Sequence, residues 1–423
     1  MQKKIIGFFL SVVTFFVCLV SYSNSEVQEI KTGKLSSKNL IGSYSSKKNK
    51  IYPQEIIIKN DIAYLSCSDL GLLILDISDQ AKPRRLGLFK VKIVENNNLI
   101  TDMFVENELV YLVGPYIGLK IIDVSNPKKT THLGDYDIEG AYYVYVSNGL
   151  AYVTNGDLNI IDVSIPSSPL LISSISTGTP VSGIYVSGNY AYMGSSEASD
   201  GLQIYDISNP SLPVYVGHST DAGAEQFIYA DGYLYGRQYQ PVKIDISNPE
   251  SPFVVSHLAG EDVGAFDIND SKLYEYTQSD ENPFTGILAF DLRSEEIVEQ
   301  YNYHRENVSD IKVVNGVLYS VADNAFEIFD LEGPPILSSL SNKKTMPGST
   351  LTVNGKYFGE NAGTVFVTQD AKTYKCSVVS WSAEKIDVTL PKKLEEGDAS
   401  IGVKKATDMK SMNSKTITII KKK

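Results

Sequence analysis

Three carboxylates occupy one repeated position of the sequence, and their spacing could bring them together. The position lies just before a short apolar strand that recurs along the chain, and in three repeats it holds Glu55, Asp102 and Asp310. The other four repeats hold Tyr143, Gly183, Gln226 and Ala265 at the same place. If the repeats close into a ring, the carboxylates belong to neighbouring repeats and converge on a narrow opening. Such a cluster would attract a hard cation or a cationic ligand, so it is the candidate ligand-binding site, against the alternative of separate solvated carboxylates at a wide rim.

A second acidic stretch, "DYDIEG" from Asp135 to Gly140, opens like a calcium-binding loop. Asp135, Asp137 and Glu139 have the D-x-D-x-E-G spacing that turns alternate carboxylates towards one ion. Val146 stands where such a loop places its bidentate Glu, and the stretch also lies in a connection between repeats, where acidic residues are ordinary. We treat the three carboxylates as a candidate calcium site, and calcium is the one cofactor that the sequence suggests.

Catalytic motifs are missing from the sequence. It contains no Gly-rich phosphate loop, nucleophile elbow or paired-cysteine zinc spacing. The histidines fall in or just after strands of different repeats, too far apart to share a metal: His132, His218, His257 and His304. This favours a binding protein over an enzyme. Because sites in repeat rings are assembled from many loops, a metal-dependent hydrolase at Glu55, Asp102 and Asp310 stays an alternative, as does a structural envelope component.

The N-terminal sequence predicts export. Lys3 and Lys4, an apolar run from Ile5 to Val20 and small residues at Ser23 and Ser25 have the layout of a secretory signal peptide over residues 1–25, with an uncleaved anchor as the alternative. Residues 26–38 are interpreted as a linker.

Composition narrows the class of partner. Removing the two signal lysines takes the net charge from −12 to −14, and an acidic exported chain is a poor binder of phosphate backbones. We therefore expect a secreted, cell-surface or periplasmic protein with no stable membrane span after cleavage. Its expected partner is an extracellular or envelope protein or a glycan, not a nucleic acid.

A repeat of 39 to 47 residues must position the candidate residues. Each unit contains a strand–turn–strand phrase such as "VYVSNGLAYV", then a strand that ends at an Asp, as in "GLKIIDVSNP", and in six units a further strand. Four strands per unit and seven units predict an all-β, seven-bladed β-propeller over residues 39–332, with a linear β-solenoid as the alternative. The seventh unit lacks its outer strand, so we expect Asn39–Ser46 to pair beside Phe326–Leu331 and close the ring.

Two other residue types recur once in every repeat. The Asp that ends each third strand is interpreted as a turn former, since its side chain can accept local backbone N–H bonds: Asp76, Asp123, Asp162, Asp206, Asp245, Asp291 and Asp330. A tyrosine in each second strand is interpreted as packing between blades: Tyr64, Tyr111, Tyr152, Tyr192, Tyr235, Tyr274 and Tyr319.

The phrases "GLKIIDVSNP" and "GLQIYDISNP" resemble the LVIVD repeat of exported bacterial and archaeal propeller proteins. The resemblance extends over residues 39 to about 332 and is looser in the last two repeats. It implies a seven-bladed, surface-located protein, and it brings no catalytic residues.

The last part of the chain, residues 334–420, predicts a small β-sandwich. Its phrases "PGSTLTVNGKYFG" and "VVSWSAEKIDVTLP" resemble the IPT/TIG family of immunoglobulin-like domains, which implies a spacer or second binding module. Phe358 and Trp381 are expected in its core. Cys67 and Cys376 fall in different predicted domains, so a disulfide framework is not expected, although export would permit one bridge between the domains.

Overall fold

The structure, a computed structural model, is an all-β protein. It describes residues 31–35, 39–45, 51–68, 70–91, 100–195, 201–237, 240–258, 263–278, 284–303, 305, 307–359, 361–407, 410–411 and 413–420. These residues form strands joined by turns and include no helix, so none of them builds a helix that could cross a membrane. The predicted signal peptide lies outside the described residues.

The strands of the repeat region follow one another in short hairpins. Two strands precede the first complete repeat: β1 (Lys31–Lys34) and β2 (Leu40–Ser45). Those of the first three repeats are β3 (Pro53–Lys59), β4 (Ile62–Cys67), β5 (Gly71–Asp76), β6 (Arg84–Lys90), β7 (Asp102–Glu106), β8 (Leu109–Gly114), β9 (Gly118–Asp123), β10 (Thr131–Tyr136), β11 (Tyr143–Ser147), β12 (Leu150–Thr154), β13 (Asp157–Asp162) and β14 (Leu170–Ser176). Those of the next four are β15 (Gly183–Ser187), β16 (Tyr190–Gly194), β17 (Leu202–Asp206), β18 (Val214–Ser219), β19 (Gln226–Ala230), β20 (Tyr233–Arg237), β21 (Pro241–Asp245), β22 (Phe253–His257), β23 (Val263–Asn269), β24 (Lys272–Gln278), β25 (Thr285–Asp291), β26 (Ile297–Asn302), β27 (Val308–Val314), β28 (Val317–Ala322) and β29 (Ala325–Asp330).

Each repeat forms one antiparallel sheet, which we call a ring sheet and number in chain order. Ring sheets 1 to 5 are β3–β6, β7–β10, β11–β14, β15–β18 and β19–β22; ring sheet 6 is β23–β26, and ring sheet 7 contains β27–β29. The first strand of each sheet contacts the first strand of the next, and β27 of ring sheet 7 contacts β3 of ring sheet 1. Among the described residues the seven sheets therefore form a closed ring, as expected for a propeller.

The ring is closed by the N-terminal strand, as the sequence predicted. Strand β2 pairs antiparallel with β29, with Leu40 opposite Phe329 and Ser45 opposite Ala325. The pairing supplies the outer strand that the seventh repeat lacks and covers its open edge. The first and last parts of the ring thus lie in one sheet.

The linker predicted at residues 26–38 is in part a strand, so that prediction was wrong there. Strand β1 runs parallel to β26 as a fifth strand of ring sheet 6, with Thr32 opposite Gln300. The Leu35 N–H donates to the carbonyl of Asn302 at 2.9 Å, and the Leu35 side chain is buried. An outer strand presents a free row of backbone donors and acceptors, which is why a stretch without a strong strand pattern pairs here.

The repeated aspartates are turn formers, as predicted. In each case the Asp Oδ1 accepts the N–H of the residue two positions later, for example Ser125 to Asp123 at 2.8 Å and Ser164 to Asp162 at 2.9 Å. The other five make the same bond: Asp76, Asp206, Asp245, Asp291 and Asp330. Hydrogen bonds from the side chain and then the backbone N–H of Ser125 and Ser164 hold the pKa of Asp123 and Asp162 below its usual value.

The repeated tyrosines pack between neighbouring sheets, again as predicted. All seven are nearly fully buried. Tyr64 of ring sheet 1 packs with Met103 and Leu112 of ring sheet 2, and Tyr319 of ring sheet 7 packs with Ile56 and Leu65 of ring sheet 1. The core of the ring is therefore a series of apolar layers, one between each pair of adjacent sheets.

The C-terminal residues form two sheets over one core. The strands are β30 (Ile336–Leu340), β31 (Lys344–Thr345), β32 (Thr350–Lys356), β33 (Thr364–Gln369), β34 (Lys372–Lys375), β35 (Ser377–Trp381), β36 (Lys385–Thr389), β37 (Gly397–Lys404) and β38 (Lys415–Ile419). One sheet has the order β30-β32-β36-β35 and the other β31-β38-β37-β33-β34. Val353 and Val388 of the first sheet share a cluster with Val365 and Ile401 of the second, so this region is a β-sandwich.

The residues singled out in the sandwich have mixed outcomes. Phe358 is fully buried, as expected, whereas Trp381 is only partly buried, because it lies at the edge of the core beside Phe358 and its Nε1 donates to the Gly359 carbonyl at 2.8 Å. Cys67 and Cys376 are both buried and are not paired with each other, so the disulfide between the two regions is not formed.

Candidate ligand-binding site at the channel mouth

A cavity of about 290 Å³ lies at the centre of the ring, among the starts of the inner strands. We call it the channel-mouth cavity. Six of the seven positions aligned in the sequence line it: Glu55, Asp102, Tyr143, Gly183, Gln226 and Asp310. Ala265 does not. The structure therefore brings the three predicted carboxylates together at one mouth.

Each of the three carboxylates accepts a backbone N–H from the next sheet around the ring. The bonds are Ile56 N to Asp310 Oδ2 at 2.9 Å, Met103 N to Glu55 Oε2 at 2.9 Å, and Val144 N to Asp102 Oδ2 at 2.7 Å. Asp267 makes the equivalent bond two residues further along the strand, to Val313 N at 2.7 Å. Four successive junctions, from ring sheet 6 through 7, 1 and 2 to ring sheet 3, are thus held by carboxylates, a structural role that the sequence did not indicate.

Glu55 and Asp102 are neighbouring carboxyls whose pKa values are both raised. Burial, followed by the charges of Asp102 and Asp310, raises the pKa of Glu55 well above its usual value. Burial also raises the pKa of Asp102 to about 7, and the Glu55 side chain is hydrogen-bonded to it. Two carboxyl groups can hydrogen-bond to each other only if one of them is protonated. The Asp102 carboxylate accepts the Val144 and Met103 N–H groups, and the raised pKa of both carboxyls favours a proton shared between them.

Lys312 neutralises a further charge at the mouth. Its Nζ lies 3.2 Å from Asp310 Oδ1, so its ion pair is with Asp310 of its own strand. Burial alone would lower the pKa of Lys312, but Asp310, Asp267 and Glu55 raise it overall. Burial raises the pKa of Asp267 to about 6. The mouth is therefore less negative than three free carboxylates would make it.

Aromatic side chains continue around the ring where the carboxylates end. Phe104, Tyr145, Tyr185 and Tyr229 come from the inner strands of ring sheets 2, 3, 4 and 5. Consecutive ring centroids are 4.8, 5.5 and 6.0 Å apart, within the range of favourable aromatic pairs. At the last junction Arg237 of ring sheet 5 donates to the Gly264 carbonyl of ring sheet 6 and pairs with Glu225 at 3.2 Å.

The predicted calcium site is not supported. Within the described part of the chain no three or more His, Cys, Asp or Glu side chains are grouped to hold a metal ion. Asp135 lies on strand β10, where Oδ1 is 2.8 Å from both Lys120 Nζ and His132 Nε2. Asp137 and Glu139 follow as exposed residues of the connection. Lys120 of the neighbouring strand β9 therefore already neutralises the Asp135 carboxylate.

A metal-dependent hydrolase would need the oxygens of Glu55, Asp102 and Asp310 as metal ligands. Backbone N–H groups bond oxygens of all three side chains instead, and among the described residues the three are not grouped to hold a metal ion. Of the histidines, His132, His218 and His257 lie in outer strands of three different ring sheets, as predicted, and His304 falls outside the described residues.

Several residues of the cavity were missed by sequence reasoning. Phe104, Tyr145 and Phe227 line it together with Arg237 and Glu225. Phe104 and Tyr145 stand two residues after Asp102 and Tyr143 in the alignment, so the alternation of side chains along a strand could have placed them on the same face. Arg237 carries no repeat signal, because the equivalent positions of other repeats hold unrelated residues such as Val113 and Thr154.

The comparisons with known proteins agree with this geometry. The LVIVD repeat profile matches residues 52–90, 108–138, 140–177 and 180–221, which are parts of ring sheets 1 to 4 and their connections. A search of curated protein sequences found no match.

Solved structures share the fold at low sequence identity. The WD40 β-propeller domain of Doa1 matches with a TM-score of 0.53 and 9% identity, covering 69% of this chain and 96% of that one. The computationally designed Ika8 protein matches with a TM-score of 0.50 and 11% identity, covering 72% and 99%. A fungal alcohol oxidase of the AA5 family, in complex with copper, matches with a TM-score of 0.50 and 9% identity, covering 92% and 100%. Likeness at such identity concerns the fold alone. The chain is thus a β-propeller protein that carries LVIVD repeats.

Proposed function

We propose that this protein is an exported, non-enzymatic binding protein of the bacterial cell surface or envelope, secreted or periplasmic. Its propeller recognises an extracellular or envelope protein or glycan at the channel-mouth cavity. The sandwich of residues 334–420 acts as a spacer or second binding module. The observation that carries the proposal is the cavity itself, because six ring sheets converge there and place polar and aromatic side chains around one opening.

The finer architecture belongs to the same proposal. We infer that the seven ring sheets are the seven blades of one propeller over residues 39–332, since their inner strands contact in a closed cycle. We also infer that the sandwich is an immunoglobulin-like domain of the IPT/TIG type. Its two sheets over a single core support this, together with the two resembling phrases in its sequence.

A binding array tests the proposed function. The mature protein is incubated with an array of glycans and extracellular proteins, beside a Gln54→Ala/Gln226→Ala variant. Both glutamines line the cavity, and neither side chain makes one of the carboxylate bonds between sheets. We expect a specific partner whose binding the variant weakens by at least about tenfold.

The control for the array is Phe253→Ala, which truncates an exposed side chain on the outer strand β22. A partner that is insensitive to the glutamine variant but lost with Phe253→Ala or on removal of residues 334–420 would contradict recognition at the mouth. No partner on the array would contradict the binding function and favour a structural component of the envelope.

A hydrolase is a second candidate because one observation favours it. Glu55 and Asp102 are two neighbouring carboxyls with raised pKa values, and such a pair can supply a general acid and a general base in one cavity. Turnover of a glycoside or ester substrate that Glu55→Gln abolishes, with folding unchanged, would establish it. The backbone bonds of both carboxyls already account for their burial, so we place this candidate second.

A further inference from the structure

The wall of the channel-mouth cavity is strongly aromatic. Four rings line it, from the inner strands of ring sheets 2, 3 and 5: Phe104, Tyr143, Tyr145 and Phe227. Each is partly accessible, so ring surface is open to an occupant of the cavity. The face of an aromatic ring is electron-rich and attracts a cation placed over it.

The charges around these rings are unbalanced. The lining residues include the carboxyls of Glu55, Asp102, Glu225 and Asp310 and one cationic side chain, Arg237. Arg237 pairs with Glu225, Lys312 pairs with Asp310, and the raised pKa of Glu55 disfavours its charged form. Asp102 remains as an ionisable carboxylate held by backbone N–H groups and Glu55, without a cationic partner among the described residues.

The type of cation follows from how these oxygens are used. A hard metal ion needs several oxygen ligands directed at one point, but here the carboxylate oxygens are directed at backbone N–H groups. An organic cation requires only ring faces and a negative charge nearby, and aromatic enclosures of this kind suit quaternary ammonium groups. The volume of about 290 Å³ is at the small end for ligand sites, which suits a compact ligand.

We propose that the channel-mouth cavity binds a small organic cation of the quaternary or methylated ammonium class, with Phe104, Tyr143, Tyr145 and Phe227 around it and Asp102 as its counter-charge. This inference rests on the proposed function and names the chemistry that the mouth recognises. The cation is held by its charge and by its methyl groups against the rings. It makes no covalent bond.

Calorimetric titration of the mature protein with choline, and with dimethylbutanol as its neutral carbon isostere, tests the inference. The two probes have the same shape and differ in charge. We expect choline to bind at least about tenfold more tightly than the isostere, as a desolvated cation over aromatic rings should. Equal binding of the two probes, or no binding of choline, would overturn the inference.

Variants locate the choline site. Tyr145→Leu and Phe104→Leu remove one ring each, and each should weaken choline binding by about tenfold. Asp102→Asn should weaken it similarly, and Phe253→Leu on the outer strand is the matched control. If Phe253→Leu abolished choline binding, or if Tyr145→Leu and Phe104→Leu left it unchanged, the assignment of the site to this cavity would be overturned. Asp102→Asn also alters the hydrogen bond from Val144 N. If the Asp102→Asn variant fails to fold, Tyr145→Leu and Phe104→Leu decide the result.

The inference and the proposed function can fail separately. A partner found on the array and weakened by the Gln54→Ala/Gln226→Ala change, with no choline binding, would overturn the ammonium site and leave the binding function standing. Choline bound at the rings, with no partner on the array, would support the ammonium site and remove the protein or glycan partner.

Discussion

The ammonium of Lys405 in the sandwich lies 2.9 Å from Asp330 Oδ2 at the end of the ring. Lys405 and Asp330 are 5% and 1% exposed, so the pair is buried between the two regions. Thr407 adds a bond to Asp330 at 2.9 Å and Glu332 a second ion pair to Lys405 at 2.9 Å. Asp330 is the seventh repeated turn aspartate, and here the turn former also anchors the following domain.

Lys405→Met should loosen the sandwich from the ring. Removing one partner of a buried ion pair leaves an uncompensated charge and costs about 3–5 kcal/mol. In calorimetry the parent protein should unfold in one transition or in two that overlap. We expect the Lys405→Met variant to unfold in two separate transitions. Adding Asp330→Asn should recover part of the loss, since it removes the orphaned charge. An unchanged calorimetric profile for Lys405→Met would show that the pair does not couple the domains.

Glu55→Gln should flatten the dependence of stability on pH. The pKa of Glu55 and Asp102 is higher in the folded protein than the ordinary carboxyl values near 4, so the folded state binds protons more tightly. Stability therefore falls as pH rises from about 4 to about 7. A Gln amide can donate to Asp102 while its oxygen accepts the Met103 N–H, so it reproduces the protonated acid.

We expect Glu55→Gln to be about 1–2 kcal/mol more stable than the parent at pH 8 and similar to it at pH 5. Urea unfolding at both values measures this, with Asp310 and Lys312, the other charges facing Glu55, left intact. Glu55→Ala is the matched control, because it loses both bonds and should be destabilised at both pH values. Equal losses for Gln and Ala would contradict a proton held between Glu55 and Asp102.

Glu275→Leu should stabilise the protein, most of all at alkaline pH. Glu275 is fully buried and, among the described residues, its carboxyl oxygens have no hydrogen-bond partner. It faces Phe266 and Leu288 across the sheet, and burial raises its pKa to about 8. Because the ionised form is disfavoured in the folded state, this carboxyl costs stability progressively up to about pH 8 and fully above it.

Leu65 and Leu112 occupy the equivalent place in ring sheets 1 and 2, so leucine suits the site. We expect Glu275→Leu to gain about 2–3 kcal/mol at pH 9 and less at pH 5, measured by urea unfolding. Glu275→Gln serves as the comparison, since it removes the charge but keeps an unpaired polar group. A destabilised leucine variant at pH 9 would show that the carboxyl is satisfied in solution.

Gly42→Ala should weaken the closure of the ring. Gly42 lies at the irregularity in the pairing of β2 with β29, and a Cβ there would collide with the Gln80 carbonyl of ring sheet 1. Such overpacking typically costs about 1–3 kcal/mol. Thermal unfolding should show a lower midpoint for Gly42→Ala and no change for Ser43→Ala, whose side chain is exposed on the same strand. Equal midpoints would mean that β2 does not hold ring sheet 7 to ring sheet 1.

Most of the fold could be predicted from the sequence because the chain repeats one structural unit. The period, the turn aspartates and the buried tyrosines depend on local hydrogen bonds and on the alternation of side chains along strands. Both are determined by residues that are close together in the sequence. The orphan strand at Asn39–Ser46 was also predictable, because a missing outer strand in repeat seven matched an extra one at the other end. Strand β1 was not, since it is defined by the open edge of β26 and not by a pattern of its own.

For the candidate site, the alignment of the repeats predicted which side chains lie together at the channel mouth, but it did not predict their hydrogen bonds or charges. It placed Glu55, Asp102 and Asp310 together, and the ring confirms that they meet. Only the tertiary structure decided that their oxygens bond backbone N–H groups of the next sheet, that the pKa of Glu55 is raised and that Lys312 pairs with Asp310. Protonation and ion pairing depend on burial and on distances between sheets that are far apart in the chain. The periodicity of a sequence determines neither the burial nor these distances.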